Sequence, residues 1–411
     1  MAPTGVEIHN GKIRIWFIYR GVRCRETLKG WLVTNANLKK AGQLRAKITS
    51  DIQMGVFDYG LQFPGSKAAK KFSTTLRIST FQELCDEYSG TKELEMSYAS
   101  ARNMHSIIKI LLRIVGSDTL ITDIQQIDIL RYRKELLLGD VRNDVVPHLN
   151  KTGRAPATVN EQIRTLCAML KFAKRSHIIS NSPFEDIPSL KRPRKAPDPF
   201  TMEEYERFIS VLPASVVNLW KLAFYAGLRH GELCALGWDD VDLVNGKIHV
   251  SRNLNNYDHF GPPKTCAGER TITLLEPALE ALRDQFHLTG ADQTTEITFN
   301  HRAYASTDQQ KVRFVFRPVI KFAVPNPYYS KNALGYSWKQ GLKKAGIRSR
   351  VPYQSRHTYA CWLLSAGAIP SFIASQMGHT DASMVYRVYS KWMCDKDQDQ
   401  DQVEFLNSKL G

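Results

Sequence analysis

Apolar positions along the chain repeat with two periods, and the change of period marks its parts. Over residues 5–28 they alternate: Ile13, Ile15 and Phe17 fall on one side of a strand, Arg14, Trp16 and Ile18 on the other. Asn10-Gly11 is a two-residue hairpin signal and Arg20-Gly21 turns the chain again, so three short antiparallel strands are expected. Thr34 suits the N-cap of a helix over residues 36–54 that Gly55 stops. From residue 80 to 190 the period is helical. Phe81, Leu84, Cys85 and Tyr88 stand at helical spacing, and similar stripes run through 101–115, 126–138 and 157–176, the last with Pro156 in its first turn. A polar insertion fills 140–154. Beyond Phe200 the pattern mixes helices with two expected hairpins, one turning at Asn245-Gly246 and one running from Pro263-Lys264-Thr265 through Gly268 to residues 270–274.

These patterns predict a multidomain, mainly α chain with small β-sheets. An α+β module spans 1–62, a linker 63–79, a helical domain 80–190, a Pro- and cation-rich linker 191–199, a mixed and mainly helical domain 200–395, and a tail 396–411. The length agrees, since 411 residues exceed one ordinary core.

Charge sharpens the reading. The net charge is +16, which points to a polyanion, nucleic acid before anionic membrane. Residues 1–72 hold 13 Lys/Arg against 4 Asp/Glu. Arg14, Arg20, Arg23, Arg25 and Lys29 make the first module a candidate β-ribbon for a DNA groove, with ordinary surface charge as the alternative. Lys191, Arg192, Arg194 and Lys195 suit a linker lying along a phosphate backbone. The seven cysteines form no CxxC pair, which suggests neither a disulfide framework nor a zinc site and fits a reducing cytoplasm. The start lacks an apolar leader, and the uncharged run 358–377, broken by Pro370, reads as core helices rather than a membrane span.

Candidate chemistry lies in the last domain. Arg229 sits in Gly227-Leu228-Arg229-His230-Gly231-Glu232-Leu233, three residues before Glu232, close enough to pair at a helix start. Lys264 lies on the second expected hairpin. Tyr353-Gln354-Ser355-Arg356-His357-Thr358-Tyr359 opens a helix, Gly378-His379 closes the next, and Tyr389 follows ten residues later. Each motif alone has a bland reading, as a surface ion pair, a solvated lysine or a capping histidine. In this order, Arg229, Lys264, Arg356, Gly378-His379 and a following tyrosine resemble the tyrosine recombinase (phage integrase) family. The resemblance covers about 200–395. The helical segment before it matches the family's core-binding domain in position and length, and the first module resembles the arm-binding domain of larger phage integrases.

The resemblance implies a site-specific recombinase that cuts and rejoins DNA through a 3′-phosphotyrosyl ester. Arg229 and Arg356 would clamp the non-bridging phosphate oxygens with planar forks that lysine lacks. His379 would donate to the same centre, where charge grows in the transition state. Tyr389 would attack, Lys264 would protonate the departing 5′ oxygen, and Glu232 would orient Arg229. The ester conserves the bond energy, so no cofactor is expected, metal or ATP. Two positions depart from the family. Tyr353 stands where a histidine usually precedes the second arginine, and Tyr389 lies one residue beyond the usual spacing, leaving Tyr386 as a competing nucleophile.

The partners implied are double-stranded attachment sites, a homotetramer on DNA, an excisionase and a DNA-bending host factor, with no membrane. The task would be integration and excision of a prophage or similar element, in the bacterial cytoplasm at the nucleoid. His230 and His357 would brace the pocket. Val403, Phe405 and Leu406 would pack on a neighbouring protomer. The alternatives are a type IB topoisomerase or resolvase on the same chemistry, and a non-catalytic DNA-binding regulator.

Overall fold

Asn10 and Gly11 both take positive φ (50° and 68°), and so do Arg20 and Gly21 (48° and 75°). That backbone makes turns whose twist matches antiparallel strands. The computed structural model accordingly joins β1 (Val6–His9), β2 (Lys12–Tyr19) and β3 (Val22–Thr27) into one antiparallel sheet. The structure describes residues 3–63, 66, 68, 78–141, 150–191, 196–302, 306–318, 326–393, 403, 404, 407 and 408. They divide into two compact units, one of residues 1–84, 118–124 and 170–183, the other of 85–117, 125–169 and 184–411.

In the first unit the alternation of β2 sorts its side chains. Ile13, Ile15 and Phe17 are buried and pack with Ala41 and Ile48 of helix α1 (Asn35–Gln53). The Thr34 hydroxyl caps that helix by accepting from the Asn37 amide at 3.2 Å. The short helix α2 (Tyr59–Gln62) adds Tyr59, which with Phe57 rings Phe17. The opposite face of the sheet carries Arg14, Trp16, Arg23 and Arg25, with Trp16 directly across from Arg25. The Arg23 guanidinium lies 3.8 Å from the Trp16 ring centre, and Arg14 donates to Glu7 at 2.7 Å.

Four longer helices follow in sequence: α3 (Phe81–Glu93), α4 (Tyr98–Val115), α5 (Gln126–Leu138) and α6 (Pro156–Arg175). In α4 the buried positions are Met104, Ile107, Ile108, Leu111 and Val115, the apolar stripe of an amphipathic helix. The polar insertion begins and ends as a two-stranded ladder, β4 (Asp140–Val141) and β5 (Lys151–Thr152).

The remainder, within the second unit, is built on α8 (Ala214–Ala226), which follows α7 (Met202–Ser210). Helix α8 buries Leu219, Trp220, Leu222, Ala223 and Phe224, nearly all round, as expected of a central helix. Phe200, Phe208, Trp220, Phe224 and Trp338 pack ring against ring about it. Such rings bring large buried areas and specific edge-to-face geometry. A short helix α9 (His230–Cys234) leads into β6 (Val241–Asp242), β7 (Lys247–Val250), β8 (Asn253–Leu254), β9 (Phe260–Gly261) and β10 (Arg270–Thr273). Then come α10 (Glu276–Thr289), β11 (Thr295–Asn300), β12 (Thr307–Val312), α11 (Lys331–Lys344), α12 (Gln354–Ser365), α13 (Pro370–Met377) and α14 (Ser383–Tyr389).

The first expected hairpin forms, β6 with β7, but the second does not. Strand β10 pairs with β7, placing Ile272 opposite Ile248, and both are buried. The sheet order is β10-β7-β6, while β8 and β9 join β11 and β12 in a separate sheet, β12-β11-β9-β8. Burial of Ile272 against β7 outweighs the local turn at Gly268, so Lys264 lies in the connection between two sheets rather than on a hairpin arm. Among the described residues no helix is long and apolar enough to cross a membrane.

Candidate active site

The site begins at the end of α13. Gly378 takes φ +67°, the left-handed conformation that terminates a helix. The last carbonyls of a helix have no partner within it and lie at the negative end of its dipole. Here arginines supply the partners. Arg270 Nε donates to the Gln376 carbonyl at 2.6 Å, Arg356 Nη2 to Met377 at 2.6 Å, and Arg229 Nη2 to Gly378 at 3.2 Å. Three successive carbonyls thus gather three guanidiniums from α12, β10 and the start of α9.

Glu232 sets two of them. Its carboxylate accepts from the Arg229 backbone at 2.9 Å and from Arg229 Nη1 at 2.7 Å. It also takes two hydrogen bonds from Arg270. Burial pushes this carboxyl up, but Arg270 and Arg229 outweigh it and hold it below the ordinary range. The Arg229–Glu232 pair is therefore interior, not the surface ion pair that three-residue spacing alone suggests. Three cations face one anion, which leaves an excess of positive charge.

Arg356 is fully buried, with Nη1 held by the Gly227 carbonyl at 2.6 Å. Burial pulls its guanidinium down to about 10, still charged at neutral pH. Its Nη2 lies 3.3 Å from His379 Nε2. A guanidinium only donates, so Nε2 is the acceptor and the neutral ring carries its hydrogen on Nδ1. Burial and then Arg356 push the His379 ring down to about 4, which keeps it neutral. The Arg356 Nε and His379 Nδ1 hydrogens are both buried without an acceptor among the described residues, an arrangement that a ligand or a water completes.

Tyr389 is 2% exposed. Its hydroxyl lies 2.7 Å from Nδ1 of His357. Burial pushes the phenol above its ordinary value, with Arg356 opposing. Tyr386, one turn earlier, is 53% exposed. Tyr353 precedes α12 and sets its ring edge-on to His357 at 5.1 Å and to His230 at 6.1 Å. Lys264 is exposed and, with Arg229, Tyr353, Arg102, Arg302 and Lys331, lines a cavity of about 1350 Å³.

The structure thus brings Arg229, Glu232, Arg356 and His379 into one network, sets the Tyr389 hydroxyl against His357, the residue after Arg356, and places Lys264 and Tyr353 in the lining of the same cavity as Arg229. Of the cations singled out elsewhere, Arg14, Arg23 and Arg25 share the open face of the first sheet, Arg20 stands at a turn, and Lys29 and Lys191 are exposed. Arg192, Arg194, Lys195, Phe405 and Leu406 lie outside the described residues. Sequence reasoning missed Arg270 and undervalued His357. Arg270 left a signal: it stands two residues before the buried Ile272, hence on the inward face of the strand, where an arginine calls for a buried acid.

A model described as "Phage integrase family" matches residues 200–393, and one described as "Arm DNA-binding domain" matches residues 3–67. A prophage integrase of Escherichia coli (strain K12), IntR, is 50% identical over 408 residues, 99% of each chain. The chain belongs to the phage integrase family. This integrase is thus a site-specific tyrosine recombinase with an amino-terminal arm-binding domain. In fold it is similar to the Tn1549 transposon integrase solved with a circular intermediate DNA, with a TM-score of 0.60, 20% identity, and coverage of 80% of this chain and 100% of that one. It is also similar to a lambda integrase dimer bound to a core site, with a TM-score of 0.55, 15% identity, and coverage of 96% and 95%.

Proposed function

We propose that the integrase cleaves DNA with Tyr389 and inserts and removes a prophage or similar mobile element. The phosphate of an attachment site enters where Arg356 Nε and His379 Nδ1 lack acceptors. Those two buried donors, beside three guanidiniums that face a single carboxylate, are the observation that carries the reading: the surplus of positive charge favours an anion as the group that completes them. Arg229 and Arg356 clamp the non-bridging oxygens, and His379 donates to the charge that grows on attack. Tyr389 forms the 3′-phosphotyrosyl ester, Lys264 protonates the departing 5′ oxygen, and Tyr353 contacts the phosphate from the cavity side. Burial of Tyr389 beside Arg356, against the exposure of Tyr386, supports Tyr389 as nucleophile.

The arm module reads outer sites with Arg14, Arg20, Arg23, Arg25 and Lys29, while Lys191, Arg192, Arg194 and Lys195 follow the backbone between domains. Four protomers exchange strands on two sites. An excisionase and a DNA-bending factor set the direction, at the nucleoid of a bacterial cytoplasm.

The test is covalent capture on nicked suicide duplexes drawn from DNA flanking the integrase's own gene, with the linked peptide mapped by mass spectrometry. An adduct on Tyr389 is expected, and Tyr389→Phe should abolish it while DNA binding persists. An adduct on Tyr386, or tight site-specific binding that never gives an adduct, would overturn the assignment.

A further inference from the structure

The position from which the family usually supplies a histidine holds Tyr353, yet the buried phenol of Tyr389 still has to lose its proton. Burial raises the free energy of the phenolate, and Arg356 offsets only part of that. A proton acceptor in contact with the hydroxyl is therefore required, and the structure holds one such group against it. His357 follows Arg356 on α12 and places Nδ1 2.7 Å from the Tyr389 oxygen. The Tyr353 ring closes one side of the imidazole and the Tyr389 ring another.

We propose that His357 is the general base of strand cleavage, and that Tyr353 packs it against the nucleophile. This inference rests on Tyr389 being the nucleophile. The phenol donates its proton to Nδ1 as its oxygen bonds to phosphorus. The bond to the 5′ oxygen breaks, and that oxygen takes a proton from Lys264. In religation the 5′ hydroxyl attacks, the tyrosyl–phosphorus bond breaks, and the imidazolium returns its proton to the phenolate.

The ionisable groups around the ring are Arg356 and Cys361 on its own helix, Tyr353 at the helix start and Tyr389 from α14. No carboxylate contacts it among the described residues. Burial and then Arg356 hold it down to about 4 in the free protein, so the lone pair is available. A phosphate bound to Arg356 offsets that repulsion and raises the basicity of the ring as the reaction begins.

The experiment uses the full-length integrase and the captured suicide duplex, with the adduct first mapped to Tyr389. An adduct elsewhere overturns the nucleophile assignment and this inference with it. With Tyr389 established, His357→Asn is expected to slow single-turnover cleavage at neutral pH about 100-fold or more, with DNA affinity kept. The defect should shrink as pH rises toward the phenol's own ionisation. A 5′-bridging phosphorothiolate, whose leaving group needs no proton, should rescue Lys264→Ala but not His357→Asn. A rate within threefold of wild type, a defect equal at every pH, or rescue by the phosphorothiolate would each overturn the proposal. Protein with wild-type His357 and 2,3-difluorotyrosine at position 389 gives a reading that does not depend on how the variant folds. The acid limb of its rate profile should stay in place, because that limb belongs to the imidazole; a limb that moves with the more acidic phenol would overturn the proposal.

Discussion

Arg270 grips the carboxylate of Glu232 through both terminal nitrogens, at 3.3 and 3.1 Å, with the two side chains 7% and 1% exposed. The pair does not face the cavity, yet it fixes what does. Glu232 holds Arg229, and Arg270 Nε holds the end of α13, from which the next two carbonyls hold Arg356 and Arg229.

Arg270→Ala should therefore act as a structural and a catalytic lesion together. It leaves Glu232 buried with one cation, and breaking a buried pair in this way costs about 3–5 kcal/mol. The expected result is a lower urea midpoint and slow covalent-adduct formation even where the protein remains folded. Arg270→Lys should recover little, because an ammonium cannot bond both carboxylate oxygens and the Gln376 carbonyl in one plane. Adduct formation at the wild-type rate in Arg270→Ala would show that Glu232 needs no second cation.

Gly227 gives a second prediction. Its φ is +59°, and a Cβ there would lie 2.3 Å from Cδ1 of Tyr359. Its carbonyl is also the seat of Arg356 Nη1. Gly227→Ala adds left-handed strain of about 1–2 kcal/mol to a clash with a buried ring, and relief requires moving the carbonyl that holds the arginine. Both thermal stability and adduct formation should fall, the latter by more than the stability loss explains. A variant that loses stability alone would separate the backbone from the clamp.

How much of this was legible follows from the range of the interactions. The amino-terminal sheet was readable because its turns are local: Asn10-Gly11 and Arg20-Gly21 fix strand order within two residues, and alternation fixes the faces. Helix α4 was readable because its apolar spacing needs no partner to be seen. The failed hairpin was not, because β10 finds its partner in β7 across the intervening β8 and β9, and only packing of Ile272 on Ile248 decides it. The candidate site was legible as a set of residue types in order. What the order could not give was who touches whom: that three consecutive carbonyls hold three arginines, that Arg270 shares Glu232, and that His357 rather than Tyr353 contacts the Tyr389 hydroxyl.

Acid should weaken the second unit in a defined window. His230, His357 and His379 are each pushed down to about 4, chiefly by burial, against about 6.5 in an unfolded chain. Between those values the unfolded chain binds protons that the folded one refuses, so stability is full above about pH 6.5 and declines toward pH 4. Lowering a pKa tenfold in proton affinity corresponds to about 1.4 kcal/mol. Solvent reaching these partly exposed rings reduces the effect, so about 1–2 kcal/mol per ring is expected. Unfolding free energies from urea titrations should be lower at pH 5 than at pH 7.5, by most of that sum, and His230→Gln should remove one share. Phosphate near His357 and His379 favours their cationic forms, so DNA should protect the protein more at pH 5 than at pH 7.5. Equal midpoints at the two values would show that the rings ionise as freely when folded.

The arm module offers a test of whether charge and catalysis are separable. Arg20, Arg23 and Arg25 stand on β3 or the turn before it, outside the apolar face that holds the sheet to α1. Replacing them with alanine removes none of the buried apolar side chains, though Arg23 loses its place over Trp16 and Arg20 its place over Tyr19, exposed cation–π contacts worth about 0.5–1 kcal/mol each. If each cation meets one phosphate, the slope of log affinity against log salt for arm-site DNA should fall by about 2.7, since each neutralised phosphate contributes about 0.9. Cleavage of a short duplex that carries only the core site should keep its rate, because Arg229, Glu232, Arg356, His379 and Tyr389 are all held by contacts within residues 227–389. A salt slope unchanged by the triple substitution would mean that the arm module meets DNA with another face.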